Sequence, residues 1–332
     1  KRQKVNDVKR PFLKLKFAEV PNNYNEMTLV MKGNYSVVFR AYNDGLAYRF
    51  VTSLKGEVKV NHEDITVFFP QDAQLVLQQS DRYRTSYEER YSFVKSSEWL
   101  SFQKMAHYPV LAITSGGTKI LMSESDLCDY PAPFFRSNDA NGFSSVFPRV
   151  PAVEKPRSDK SNDVLLRHPY IAKTQGTRSF PWRYFVIAKD EAALVTNTMT
   201  CRLAQDSKLQ DVSWIVPGQA SWEWWNGAVP YGPDVNFRAG NNYDTYAYFI
   251  DFAAKYGVEY ILLDEGWAES TRDPYKAKPD MHLEKLIKYG KEKGVGIIIW
   301  LPWLTVEQNF DLFKKYAEWG VAGVKIDFME HS

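Results

Sequence analysis

Cysteine is nearly absent: Cys128 and Cys201 are the only two in 332 residues. That is too few for a disulfide framework, and neither lies in the CxxC spacing of a metal or redox motif. The five histidines, His62, His107, His168, His282 and His331, fall into no HxH or HExxH pattern, so the sequence offers no zinc site. No apolar run approaches the ~20 residues of a membrane span. The basic start KRQKVNDVKR leads into FLKLKFAEV, which is too polar for the core of an export signal, so any such signal is expected upstream of Lys1. Nor is one sign of charge in surplus. Lys and Arg number 42 against 40 acidic residues, which leaves no global field to draw in nucleic acid or an anionic membrane. A neutral partner fits this balance better. What is abundant is aromatic side chain, 15% of the chain with ten Trp and twenty Tyr. Aromatic faces suit the CH faces of sugar rings, and equally well fill cores.

The chain changes grammar once. From about residue 11 to 200 it runs in short alternating segments, FLKLKF, YSVVFRAY, GEVKV, DITVFF, AQLVL, KILM and YFVIA, separated by Asn, Asp, Gly and Pro. That pattern predicts an antiparallel β-sandwich. The Pro, Ser, Asn and Lys-rich stretch from Pro131 to Gly176 is expected to form long loops, and the polar run LAQDSKLQD is the expected linker. After it, strands alternate with amphipathic helices. SWIV reads as a first strand. Tyr243, Tyr246, Ala247, Ile250 and Ala253 form a helical stripe that stops at Gly257, VEYILLD a second strand, and Leu283, Leu286 and Ile287 a helix. GIIIW is a third strand, Val306, Phe310, Phe313 and Ala317 one further helix, and AGVKIDF a fourth strand.

Such βα repetition suits a doubly wound sheet or a (β/α)8 barrel. The glycine fingerprint of a dinucleotide site is missing after the first strand, and polar residues end three successive strands, as barrel chemistry requires. The expected fold class is therefore multidomain, β followed by α/β. Residues 1–208 form the sandwich, and residues 209–332 the first four βα units of a TIM barrel. A closed barrel takes eight strands over ~250 residues, so the sequence is expected to be part of a larger protein.

Asp327 ends the fourth strand, where a carboxylate can attack an anomeric carbon and form a glycosyl ester. Lys325 shares its strand parity, so both side chains point the same way. The pair reads equally as sugar-binding machinery or as an ion pair bracing the barrel. Asp264 and Glu265 close the second strand ahead of Gly266 and Trp267. They offer carboxylates to sugar hydroxyls and an indole to stack on the ring, or else a helix cap and a packed Trp. Trp222, Trp224 and Trp225 follow the first strand, Trp300 and Trp303 the third, and five Trp at one rim favour a carbohydrate pocket. Glu124, Asp126 and Asp129 make an acidic cluster that is incomplete for a Ca²⁺ needing 6 to 8 oxygens, and so read as a solvated loop.

Together, the segments RAYNDGLAYRF, ESDLCDYPAPFF, PWRYFVIA, WIVPGQASWEWWN, YILLDEGW and GVKIDF, in this order, resemble glycoside hydrolase family 97, a family of calcium-dependent α-glucosidases and α-galactosidases. The resemblance implies an N-terminal β-supersandwich, here lacking its first strands, packed on a (β/α)8 barrel and followed by a small C-terminal β-domain. Retaining, α-galactosidase-like members carry Asp at the end of the fourth barrel strand, as Asp327 stands here. By the same resemblance Asp327 is the catalytic nucleophile and Glu124 a Ca²⁺ ligand. Lys325, Asp264 and Trp267 line the minus-one subsite, with Glu265, Trp300 and Trp224 also facing substrate. The general acid and the remaining calcium ligands are expected beyond Ser332, so residues 1–332 alone are expected to be inactive. The expected activity is release of a terminal α-linked sugar, most readily galactose, from an oligosaccharide by a periplasmic or secreted enzyme. The rival readings are an inverting α-glucosidase of the same family and a non-catalytic carbohydrate-binding protein on a decayed barrel.

Overall fold

The computed structural model of the chain describes residues 1–11 and 15–329. Part of the expected strand FLKLKF and His331 lie outside the described residues. Two compact units divide the chain: residues 1–153 with 164–212, and residues 154–163 with the chain from Ser213 onward.

Among the described residues, the first unit is built on a fourteen-stranded antiparallel sheet. Its spine is the meander Tyr24–Met31, Tyr35–Tyr42 and Gly45–Val60, continued by Trp182–Ala188, Lys119–Ser125, Val110–Ile113 and Gln74–Ser80. The alternation read from the sequence has a physical counterpart. Leu75, Leu77, Val110, Ala112 and Met122 fall on one face and pack with Phe135 and Phe143 into a single core, while the intervening residues stay more exposed. Trp182, Tyr184 and Val186 build a second cluster with Tyr42, Ala47 and Met199.

The stretch Pro131–Gly176 departs from its expected loop character. It contains the strands Phe134–Ser137, Gly142–Val146, Pro151–Pro156 and Asn162–Arg167, and the start of Ala172–Ser179. Asp139 and Asn141 lie in the hairpin turn between the first two of these strands. They adopt φ of 54° and 58°, a left-handed conformation that short polar side chains tolerate. Periodicity was masked because each strand is only four to eight residues long.

The second unit contains a four-stranded parallel sheet: β1 (Ala220–Ser221), β2 (Tyr260–Leu263), β3 (Gly296–Pro302) and β4 (Gly323–Asp327). The crossovers carry α1 (Tyr243–Tyr256), α2 (Leu283–Lys293), α3 (Trp303–Gln308) and α4 (Leu312–Trp319). Helix α1 starts on the Asn242 side chain, which accepts the Thr245 N–H, and it ends, where the sequence predicts, at Gly257 with φ 72°. One face of the sheet, Ile261, Leu263, Ile297, Ile299 and Leu301, is buried against Ile250, Leu286, Leu312 and Tyr316 of the helices. Period-two geometry then turns Asp264, Trp300, Lys325 and Asp327 to the opposite face.

Two expected elements differ. SWIV is not a strand; the parallel ladder begins at Ala220, after Pro217 and Gly218, and Trp214 and Val216 are exposed. The single helix expected over Val306–Ala317 is two. Asn309 caps α3, its side-chain amide donates to the Thr305 carbonyl, and Phe310 is 72% exposed in the turn.

Candidate active site

Register brings the functional side chains together. In the β3–β4 pairing Trp300 lies opposite Lys325 and Pro302 opposite Asp327, while β2 delivers Asp264 one residue past its end. Lys325 is the hub. Its ammonium lies 2.8 Å from Asp264 Oδ2 and 3.2 Å from Asp327 Oδ2, and 4.3 Å from the centre of the Trp222 ring.

Each carboxylate is held by further donors. Asp327 Oδ2 accepts the Trp300 indole N–H at 2.8 Å, and its Oδ1 accepts the Phe328 backbone N–H at 2.8 Å. Asp264 Oδ2 accepts the Trp222 indole N–H at 2.6 Å, and its Oδ1 accepts the Glu265 backbone N–H at 2.7 Å. Burial alone would raise the Asp327 carboxyl. The Trp300 and Phe328 N–H groups and the Lys325 ammonium outweigh it and hold the group below the usual carboxylate value. Asp327 is therefore ionised at neutral pH, as a nucleophile requires. Because Oδ1 accepts only a backbone N–H here, a lone pair on it stays available for attack.

The aromatic residues sort differently from expectation. Trp267 is 2% exposed, donates its indole N–H to the Trp300 carbonyl at 2.8 Å and packs edge-on to Tyr316. Its ring packs in the helix-facing core and presents no open face. Trp300 is also buried and acts on Asp327 through its N–H rather than by offering a face. Trp224, 57% exposed and stacked on Trp222 at 5.5 Å and 11°, does present an open face. Glu265 stands apart from the Lys325 hub: both its oxygens are bound by the Lys160 ammonium, at 2.6 and 2.7 Å. A cavity of about 390 Å³ lies beside it, lined by Glu265, Trp267, Glu269, Thr271 and Trp300.

Sequence reasoning missed Lys160, Arg183 and Glu223. Lys160 sits in the stretch read as featureless loop. Arg183 stands directly across the strand pair from Glu124, and that alternation marks it only as a strand residue. Glu223, inside SWEWW, is 4% exposed with both carboxyl oxygens unpartnered, and burial followed by the nearby Asp264 charge pushes it up to about 7.

The expected calcium ligand Glu124 is not a solvated loop residue. Its side chain is 11% exposed in its strand and paired with the Arg183 guanidinium, which also binds Glu63 at 2.9 and 3.0 Å. Burial pushes its carboxyl up to about 7 against the pull of Arg183. Asp126 and Asp129, from the same cluster, accept hydrogen bonds from the Gln205 backbone N–H and the Thr174 hydroxyl. Among the described residues no three His, Cys, Asp or Glu side chains gather as a metal cluster. Paired with the Arg183 guanidinium, Glu124 by itself offers only a small part of the 6 to 8 oxygens that a Ca²⁺ takes.

Residues 1–205 match the family described as "Glycosyl-hydrolase 97 N-terminal", and residues 224–332 match "Glycoside hydrolase 97". A protein of Bacteroides thetaiotaomicron named "Retaining alpha-galactosidase" is 34% identical over 327 residues, covering 94% of this chain and 49% of its own length. A Streptomyces bingchenggensis protein named "Probable retaining alpha-galactosidase" is 29% identical over 303 residues, 89% of this chain and 42% of its own. The chain thus spans about half the length of these curated relatives. A solved glycoside hydrolase family 97 enzyme from Pseudoalteromonas sp. strain K8, in complex with acarbose, superposes with a TM-score of 0.75 at 21% identity, over 98% of this chain and 50% of that one. At that identity the likeness shows the fold, a large antiparallel sheet domain followed by the α/β part of a barrel. The two family matches, which between them take in all but a short stretch of the sequence, establish that the chain belongs to glycoside hydrolase family 97.

Proposed function

We propose that the full-length protein is a retaining exo-α-glycosidase, an α-galactosidase before an α-glucosidase, with Asp327 as its nucleophile. The observation that carries this reading is the cradle around Asp327. An ionised carboxylate stands at the C-terminal end of β4, oriented by Trp300 and Phe328 N–H groups and by Lys325. The name borne by the relative at 34% identity supports retention and galactose.

In the proposed double displacement, an Asp327 oxygen attacks the anomeric carbon as a carboxylic acid protonates the leaving oxygen. Water then cleaves the glycosyl ester with net retention. Asp264, which takes donors on both oxygens, and Lys325 are placed to hold sugar hydroxyls, and the exposed face of Trp224 to pack on the ring. The acid is assigned to a residue outside this chain, on family resemblance. A periplasmic or secreted location is proposed on the same ground. To ligate a Ca²⁺ beside the sugar, Glu124 would have to exchange Arg183 for the ion.

Proton NMR of the first-formed sugar, with aryl α-galactoside and α-glucoside compared, tests the reading. The α-anomer, formed faster from the galactoside, is expected. The β-anomer would make the protein an inverting enzyme, and no turnover of either substrate would favour a carbohydrate-binding role.

A further inference from the structure

The hairpin tip at residues 154–163 belongs to the second unit and has no part in the reaction described above. Its turn is closed by the Arg157 and Ser158 N–H groups donating to the Ser161 carbonyl. Three consecutive residues of the tip then engage the C-terminal ends of the parallel strands. The Ser158 carbonyl accepts from the Arg272 guanidinium at 3.3 Å, and the Asp159 carboxylate accepts from the Thr271 hydroxyl, both on the segment that follows β2. Lys160 reaches furthest. Its ammonium grips both oxygens of Glu265 after β2, and lies 5.8 Å from the centre of the Trp300 ring on β3 and 4.8 Å from that of Phe328 after β4.

Those two rings belong to the residues whose N–H groups orient Asp327. Phe328 is also a non-glycine residue at φ 57°, a conformation that persists only where the surroundings impose it. Its ring is fixed edge-on to Trp300 at 6.1 Å and 87°, with Lys160 as the second contact. An ammonium over aromatic faces is attracted by the ring quadrupole, and the attraction strengthens where water is excluded; the Lys160 side chain is only 20% exposed.

We propose that Lys160 is a positioning residue for Asp327: anchored on Glu265, its ammonium holds the rings of Trp300 and Phe328 so that both donors stay aimed at the carboxylate. The proposal rests on Asp327 being the nucleophile. Lys160 itself touches neither substrate nor the reacting atoms.

The test uses the full-length protein with Lys160→Met, which keeps the stem and removes the charge, and Lys160→Arg, which restores it. Misaiming a nucleophile affects the chemical step more than binding, so with an aryl α-galactoside kcat should fall about tenfold in Lys160→Met while KM stays within about twofold. Lys160→Arg should recover most of that loss. Hydrogen exchange of the Phe328 amide and the Trp300 indole N–H provides a readout that needs no turnover, and both should exchange faster in Lys160→Met. Unchanged exchange at both sites would overturn the proposal, as would faster exchange with an unaltered kcat or a defect confined to KM. If the wild type cleaves no α-glycoside at all, the functional reading fails, whereas the exchange result still decides whether Lys160 holds the two donors.

Discussion

Glu223→Gln should remove a loss of stability that the wild-type chain suffers on going from acid to neutral pH. The Glu223 side chain is buried next to Asp264, and neither of its oxygens finds a hydrogen bond. Tyr246 lies alongside, but its hydroxyl donates to Asn241 at 3.2 Å. Burial first, and then the Asp264 charge, raise the folded-state carboxyl from 4.5 to about 7. The unfolded chain gives up this proton near the ordinary value while the folded chain keeps it. Stability is therefore fully present below about pH 4.5 and is lost as pH climbs toward 7. At about 1.4 kcal/mol per pH unit, the loss comes to about 3 kcal/mol. Glutamine mimics the protonated acid and cannot ionise, so the variant and the wild type should match at about pH 4 and differ by about 3 kcal/mol at about pH 8. In urea the midpoint gap at the higher pH should be about 1–3 M. Tryptophan fluorescence suits the assay, because of the ten Trp only Trp99 and Trp182 lie in the first unit. Every other titrating group is common to both proteins and cancels in the difference. A gap that is the same at both pH values would refute the reasoning.

Two further outcomes follow from the Glu124 cluster. Arg183→Met strands the Glu63 and Glu124 carboxylates together in the sheet interior, and should cost about 3–5 kcal/mol; a thermal midpoint within a degree or so of wild type would show the pairing to be dispensable. If calcium does displace Arg183 from Glu124 in the full-length protein, EDTA should lower its activity and added Ca²⁺ restore it. Full activity after exhaustive chelation would remove the metal from the account.

The fold was legible where periodicity and punctuation agree. The apolar stripe and Gly257 mark α1 without any help from tertiary structure. The shared parity of Lys325 and Asp327 predicts a contact that the structure places at 3.2 Å. What escaped depends on long-range packing. The composition around Trp267 is that of a sugar platform, yet the ring closes the core beneath α4, because its N–H finds the Trp300 carbonyl on the neighbouring strand. SWIV has the apolar run of a strand, but Pro217 and Gly218 follow immediately and pairing starts beyond them. Lys160 sits in a Ser- and Asp-rich turn that carries no sequence signal of function. Only the folded chain brings that turn to Glu265, more than a hundred residues away. Glu124 reads from its neighbours as one acid of a polar cluster; its Arg183 partner stands on another strand and no local spacing announces it.

The most direct test of Asp327 as nucleophile is azide rescue. Full-length Asp327→Ala would be assayed on an aryl α-galactoside with and without azide, and the product identified. The account predicts a nearly inactive variant whose turnover returns with azide and yields the β-galactosyl azide, the small anion entering from the face the carboxylate has vacated. A variant with near-normal rate in the absence of azide would contradict it, and would leave Asp327 as one half of an ion pair that braces β4.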